Sequence, residues 1–274
     1  MWTRVVARMA RYAGHLAFVA VLIAVAVPPL ASAQGGPPMR TDDPGTPGNR
    51  NWEINIGLTT DRRMSERQFE TPELDINYGA GDRVQINFEI PWVVRGTDSS
   101  PTQNGLGNSG VAVKWRFYED KKRGFEISTY PRFEFNNPTA SVRKGLVDRG
   151  QRFLLPIQVS KRVGPVQVNP EAGYWITQHG PDVWIAGIAV GRQVTRRLEL
   201  LAEEYNTGEV GGDYHESTIG GGGRWRIGGP VLLIFMAGRS FRGAQSGQPQ
   251  LVGYLGLQFQ LKKKRGKDTG STHE

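Results

Sequence analysis

Apolar and polar residues alternate along most of the chain from Trp52 to Leu261. The clearest run, residues 84–92, reads VQINFEIPW, in which apolar residues occupy every second position and Gln, Asn and Glu lie between them. Residues 111–117 and 166–176 repeat this pattern with Lys, Arg and Glu at polar positions. Because successive side chains of a strand point to opposite faces, the period of two predicts β-strands with one apolar and one charged face.

The alternating segments are longer than ordinary strands. Most span about 9–13 residues, which is the length that a tilted strand needs to cross a lipid bilayer. We predict twelve strands, at residues 52–60, 69–78, 82–94, 110–118, 124–135, 151–160, 165–176, 182–190, 196–205, 217–227, 230–239 and 250–261.

The connections between these strands alternate between long and short. The longest, residues 95–109 and 136–150, fall on the same side as the other long connections, whereas turns such as 79–81 and 228–229 fall on the opposite side. An even number of strands with this loop pattern is typical of outer-membrane barrels. The predicted fold class is therefore all-β, a transmembrane antiparallel up-and-down β-barrel of about twelve strands with both termini in the periplasm.

A soluble β-sandwich or lipocalin-like barrel also alternates, but it buries its apolar face and keeps charges outside. Here the polar faces carry both signs of charge on nearly every strand, which favours a water-filled lumen. Aromatic residues also concentrate near the predicted strand ends, as in interfacial girdles. Three prolines, Pro131, Pro156 and Pro170, fall within predicted strands, where we expect bulges or shifted boundaries.

The first 33 residues have the features of an export signal. Arg4, Arg8 and Arg11 precede an apolar run at residues 16–27, and Ala31-Ser32-Ala33 provides a cleavage site, so the mature chain is expected to begin at Gln34. A membrane anchor is the alternative, but twelve apolar residues form a helix of only about 18 Å, too short for a bilayer core of about 30 Å. The predicted destination is the periplasm or the cell outer membrane.

Composition narrows the class of protein further. A mean hydropathy of −0.43 excludes a bundle of membrane-spanning helices. The formal charge of +8 comes from the export signal and a basic, flexible tail at residues 262–274, which leaves the body near neutral and disfavours nucleic-acid binding. The chain has no cysteine, so disulfides and thiolate metal sites are excluded. The expected partners are the lipid bilayer and a small-molecule solute.

Residues 34–50 are rich in Pro and Gly and lack alternation, so they cannot extend the barrel wall at residues 51–261. This segment is expected either to hang in the periplasm or to fold into the lumen as a partial plug, and the periplasmic position is favoured.

The same region resembles the start of a known family. Gly36-Pro37-Pro38, the run TDDPGTPG at residues 41–48 and Trp52-Glu53-Ile54-Asn55 are similar to the opening of outer-membrane "transporter" proteins of the MetA-pathway of phenol degradation family. The resemblance implies an outer-membrane barrel that takes up small compounds, aromatic or hydrophobic in character. The expected function is thus a channel or transporter for a small solute, and a closed structural barrel is the alternative.

The polar face supplies the candidate site. In the predicted register Glu89 and Lys114, or Lys114 and Arg132, are close neighbours across adjacent strands. Opposed rows of charge can offer donors to a passing solute, or they can form a salt-bridged ladder that only fills the barrel. The candidate lumen and solute-binding residues are Glu89, Lys114, Arg116, Arg132, Glu134 and Glu171.

One pattern indicates an enzyme as an alternative. His215 and Ser217 share the outward parity of their strand, as Asn206 does on the strand before, and twelve-stranded outer-membrane phospholipases resemble this His-x-Ser arrangement. The surrounding sequence of those enzymes is missing. No phosphate-binding loop or metal motif is present either, so we expect no catalytic residue, no cofactor and no metal.

Overall fold

The computed structural model describes residues 36–241 and 247–263 of the chain, and within them it shows a single antiparallel sheet. Alternation of apolar and polar residues produces fourteen strand segments. They are β1 Trp52–Arg62, β2 Glu66–Gly79, β3 Val84–Thr97, β4 Ser100–Leu106, β5 Ser109–Asp120, β6 Phe125–Thr129, β7 Arg132–Phe135, β8 Arg152–Val163, β9 Val166–Thr177, β10 Val183–Gln193, β11 Leu198–Glu209, β12 His215–Gly228, β13 Val231–Ser240 and β14 Leu251–Leu261.

The fourteen segments form twelve wall strands. Strand β3 pairs with β4 along its upper part and with β5 along its lower part, so β4 and β5 are two halves of one wall strand. Segments β6 and β7 likewise both pair with β5 and β8. The sheet closes because β1 pairs with β14 over its whole length, from Trp52 opposite Leu261 to Arg62 opposite Leu251. The predicted twelve-stranded barrel is confirmed.

Several predicted boundaries are wrong. The expected long connection at 95–109 is mostly strand, since β3 continues to Thr97 and β4 returns beside it. The expected connection at 61–68 is a turn of three residues. Of the three prolines, Pro131 separates β6 from β7, because a residue without an N–H cannot continue the ladder. Pro156 and Pro170 lie inside β8 and β9 with no shift of register.

The outward face of the wall is apolar. Ile86, Val113, Ile157 and Leu255 are each about half exposed. In water such a continuous apolar surface would be unfavourable, whereas in a bilayer it contacts the lipid acyl chains. Exposed tryptophans lie near the strand ends, with Trp52 in ring contact with Tyr78 at a centroid distance of 4.6 Å. A soluble barrel has its apolar face inside, whereas this barrel has its apolar face outside. The exposed apolar wall therefore places the protein in the outer membrane.

The inward face is polar and hydrogen-bonded. The carboxylate of Asp75 accepts amide hydrogen bonds from Asn55, Asn77 and Asn87 at 2.8, 3.0 and 2.5 Å. Hydrogen bonds of this kind offset the cost of burying polar side chains inside the barrel. The described residues contain no helix that is long and apolar enough to cross a membrane. The end of the barrel that holds residues 51 and 261 is called the periplasmic end below.

Candidate functional site: the lumen and its plug

Residues 36–48 lie inside the barrel, and we call them the plug. The favoured periplasmic position of this segment is therefore wrong. The plug turns back on itself, because the Met39 amide donates to the Gly36 carbonyl at 2.9 Å and the Gly36 amide donates to the Thr41 carbonyl at 3.0 Å. Prolines and glycines give it no ladder of its own, and further bonds within the plug join the Asp43 amide to Asp42 and the Gly45 amide to Asp43.

The acidic tip of the plug is held by opposite charge. Lys114 of β5 donates to Asp42 at 2.9 Å, and this ammonium is only about 4% exposed. The Asp42 amide donates to Glu171 of β9 at 3.0 Å, and the Thr41 amide donates to Glu203 of β11 at 2.5 Å. Charge-assisted hydrogen bonds of this kind are about twice as strong as neutral ones. Three wall strands thus share the tip.

Two further contacts hold the other side of the plug. Arg224 of β12 donates to the Pro37 carbonyl at 2.8 Å and to the Gly36 carbonyl at 3.1 Å, and it is paired with Glu199 at 3.4 Å. Met39 is buried in an apolar cluster of wall residues that includes Ile234. Burial of Met39 in this cluster stabilises the seated position of the plug.

Glu216 connects the plug to the extracellular mouth. One carboxylate oxygen of Glu216 accepts from Arg40 of the plug at 3.0 Å, and the other accepts from Arg63 at 2.9 Å. Arg63 lies in the β1–β2 turn and also donates to the Tyr214 hydroxyl and the Gly247 carbonyl. Burial by itself lowers the pKa of Arg63, but its bonds to Asp61 and Tyr214 outweigh burial and raise the pKa, so the guanidinium stays charged.

Gly187 of β10 lies against the plug where no side chain fits. A Cβ at Gly187 would overlap the hydroxyl oxygen of Thr41 and would also contact the Tyr205 ring. We expect Gly187→Val to unseat the plug without removing any charge, because the branched side chain takes the space of Thr41. Conductance in planar bilayers should rise, whereas Gly228→Val, at the end of β12 where no atom lies near the added Cβ, should leave it unchanged. Unaltered conductance in Gly187→Val would contradict this seating.

A ladder of charges crosses the lumen above the plug. Arg132 of β7 pairs with Glu89 of β3 at 2.9 Å and lies 3.9 Å from Glu134, which in turn pairs with Arg152 of β8. The expected proximity of Glu89 and Lys114 is wrong, since Glu89 pairs with Arg132 and Lys114 pairs with Asp42. The reason is Gly110, which lies between β3 and β7 with no side chain, so Arg132 reaches over β5 to Glu89. Lys114 and Arg132 lie over the same ring, that of Tyr130.

The ladder separates two cavities. A vestibule of about 960 Å³ opens at the extracellular end, and an inner cavity of about 320 Å³ lies between the plug and the wall formed by β1–β3 and β5. Glu89 lines both cavities, Arg132 lines the inner one and Glu134 lines the vestibule. The ladder therefore lies at the boundary between the two cavities.

All six candidate residues predicted from the sequence project into the lumen, but they do not form one site. Lys114 and Glu171 hold the plug, and Glu89, Arg132 and Glu134 form the ladder. Arg116 lies nearer the periplasmic end, where it donates to the Asp82 carbonyl at 2.8 Å and lies 3.5 Å from Glu126. Sequence reasoning missed the plug's partners on β11 and β12, Glu203, Glu216 and Arg224, although all three have the polar parity of the inward face.

His215 and Ser217, the candidate catalytic pair, do not have the geometry of an esterase active site. The predicted parity is correct, since Asn206 lies directly opposite Ser217 and Gly208 opposite His215. The Ser217 hydroxyl, however, donates to the Asn206 side chain at 2.6 Å. A catalytic serine needs its hydroxyl on a base, and here that hydrogen bond goes to an amide oxygen. Among the described residues no set of three His, Asp or Glu side chains is arranged to hold a metal.

Comparison with solved structures gives the same fold. A crystal structure of an outer membrane channel from Pseudomonas putida F1 superimposes with a TM-score of 0.66 at 9% identity, covering 83% of this chain and 100% of that chain. The NanC porin gives 0.55 at 9% identity, covering 77% and 100%, and the KdgM porin gives 0.51 at 8% identity, covering 75% and 98%. These similarities show that the chain has the fold of outer-membrane β-barrels.

No protein-family profile matches the sequence, and no curated protein matches it.

Proposed function

We propose that the protein is an outer-membrane channel for a small solute whose passage is controlled by the plug. The observation that carries this proposal is the pair of cavities in a polar lumen, which adjoin at the Glu89–Arg132 ladder, together with a lumen segment that is not part of the wall. A barrel whose task is structural has no need of an extracellular vestibule of about 960 Å³ that leads to a second cavity. The likeness to channels and porins supports the same function.

The plug and the ladder have separate roles in this proposal. Lys114 and Glu171 keep the plug seated, while Glu89, Arg132, Glu134 and Arg116 line the path that a solute follows. Paired charges in a narrow passage stabilise each other and still exchange hydrogen bonds with a polar solute group. The resemblance to the phenol-degradation transporters supports a small solute with aromatic or hydrophobic character.

A closed structural barrel is the second candidate, and the number of bonds between plug and wall favours it. Purified protein in planar bilayers separates the two. We expect discrete conductance steps and swelling of liposomes loaded with a small sugar, because the vestibule and inner cavity provide a wet path. Heat-unfolded protein is the control. If neither the wild type nor a variant without the plug gives steps or swelling, the channel proposal is wrong and the structural barrel is right.

A further inference from the structure

Four carboxylates of the lumen lack a cationic partner. Glu70, Glu73 and Asp75 of β2 and Glu53 of β1 point inward, and we call them the acidic strip. None of them forms an ion pair within the described residues. Several other lumen carboxylates are paired, for example Glu89 with Arg132 and Glu199 with Arg224. Unpaired carboxylates in a confined lumen concentrate cations because field lines are focused there.

The acidic strip runs from the vestibule into the inner cavity. Glu70 lines the vestibule, whereas Glu73, Asp75 and Glu53 line the inner cavity. The strand register gives the order, since Glu70 lies opposite Thr59 and Glu73 opposite Gly57, and Glu53 lies opposite Asn77 near the periplasmic end. A cation that enters the vestibule therefore meets the four carboxylates one after another.

The inner cavity contains a carboxylate oxygen that accepts no hydrogen bond from the described residues. One carboxylate oxygen of Glu73 is buried without a hydrogen-bond partner in the described structure. Asp75 is 7% exposed and accepts only amide hydrogen bonds, which hold its position but bring no positive charge. Keeping a buried carboxylate ionised in this state is unfavourable, and a donor or cation that arrives from the lumen would relieve that cost.

Tyr254 of β14 gives the cavity an aromatic surface beside the acidic strip. Its ring lies flat on the wall, because Gly57 and Gly256 face each other across β1 and β14 and a Cβ on either would collide with the ring. Tyr254 is 8% exposed, and its hydroxyl forms no hydrogen bond within the described residues. The rings of Tyr130 and Tyr205 already carry Lys114 and Arg40, at 4.7 and 4.1 Å. Tyr254 is free of such a cation.

From these observations we propose that the inner cavity binds the ammonium group of a small organic cation, so that the channel's solute is cationic. The inference rests on the proposed function, because it names the class of solute for the same lumen. An ammonium is attracted by carboxylates and by an aromatic face together. A compact metal ion fits less well, since the carboxylates are spread along the wall and no three acidic or His side chains of the described residues converge.

Binding of a small organic cation to the purified, detergent-solubilised protein tests this proposal without a transport measurement. The probe is choline, and its matched control is 3,3-dimethylbutan-1-ol, which has the same shape with carbon in place of the charged nitrogen. By calorimetry we expect choline to bind at least about tenfold more tightly than the alcohol, and its affinity to fall as salt is raised. Equal affinities, or choline binding that ignores salt, would overturn the proposal.

Variants locate the binding. Glu53→Gln with Glu73→Gln should weaken choline binding at least about tenfold, and Tyr254→Leu should weaken it with all charges retained. Glu209→Gln, which removes a carboxylate of the vestibule, should have little effect. Resistance of each barrel to unfolding by detergent without heating shows that it is folded. Binding that survives both changes in folded protein refutes the site.

Bilayer recordings keep this inference separate from the proposed function. Conductance without choline binding would refute the cationic solute and leave the channel standing. Choline binding without conductance in any variant would retain the site and refute the channel.

Discussion

Deleting residues 36–48 should raise the single-channel conductance by roughly tenfold, since the plug lies across the lumen of a barrel whose backbone radius is only about 12 Å. The deletion removes every plug contact to Lys114, Glu171, Glu203 and Arg224 but leaves the closed sheet of β1–β14 intact. The barrel should therefore still assemble and resist detergent.

A labelling experiment complements the deletion, because it measures how often an intact plug leaves its seated position. Because the chain has no cysteine, Met39→Cys introduces a single thiol, at a position where the native side chain is 4% exposed. Seated plugs should protect this thiol from a maleimide, and only transient release should allow labelling. A deletion variant that conducts no better than the wild type, or a Met39→Cys thiol that labels as fast as a surface thiol, would show that the plug does not block the lumen.

The sequence was sufficient to predict the wall. Period-two alternation, strand length and the loop pattern depend on local residue order, and β1, β3, β9 and β14 lie within a few residues of their predicted positions. Strand ends were less predictable, because β3 and β4 continue their pairing beyond the membrane as a hairpin. That extension depends on tertiary contacts, and residues 95–106 do not show the alternation of apolar and polar residues that predicts a strand.

The site could be predicted only in part, for two physical reasons. Parity identifies which side chains point inward, but partners depend on reach, and Gly110 lets Arg132 bypass the expected neighbour Lys114. The plug has no periodicity at all, so its position is set by long-range contacts such as Asp42 with Lys114. Because Lys114 is paired with Asp42 of the plug, the part of the lumen outside the plug is more acidic than the sequence suggested.

The second large effect concerns this ion pair. Lys114→Met should release the plug, because it leaves Asp42 next to the carboxylate of Glu171 without a cation. Removing one partner of a buried pair costs about 3–5 kcal/mol. Since the wall strand is held by its own ladder, that cost falls on plug seating, and 3 kcal/mol corresponds to a rise of roughly 150-fold in the released population.

The measurement is a double-mutant cycle in the Met39→Cys background, with the maleimide labelling rate reporting release. We expect Lys114→Met to label fastest and Asp42→Asn to label at an intermediate rate. The double variant should label more slowly than Lys114→Met alone, because an amide facing a thioether leaves no unpaired charge. Arg226→Ala, which removes bonds to Gly229 and Gln260 of the wall, is the control and should label like the parent. If the two changes simply add, the pair does not hold the plug, and the seating must come from the contacts of Arg224 and Glu203.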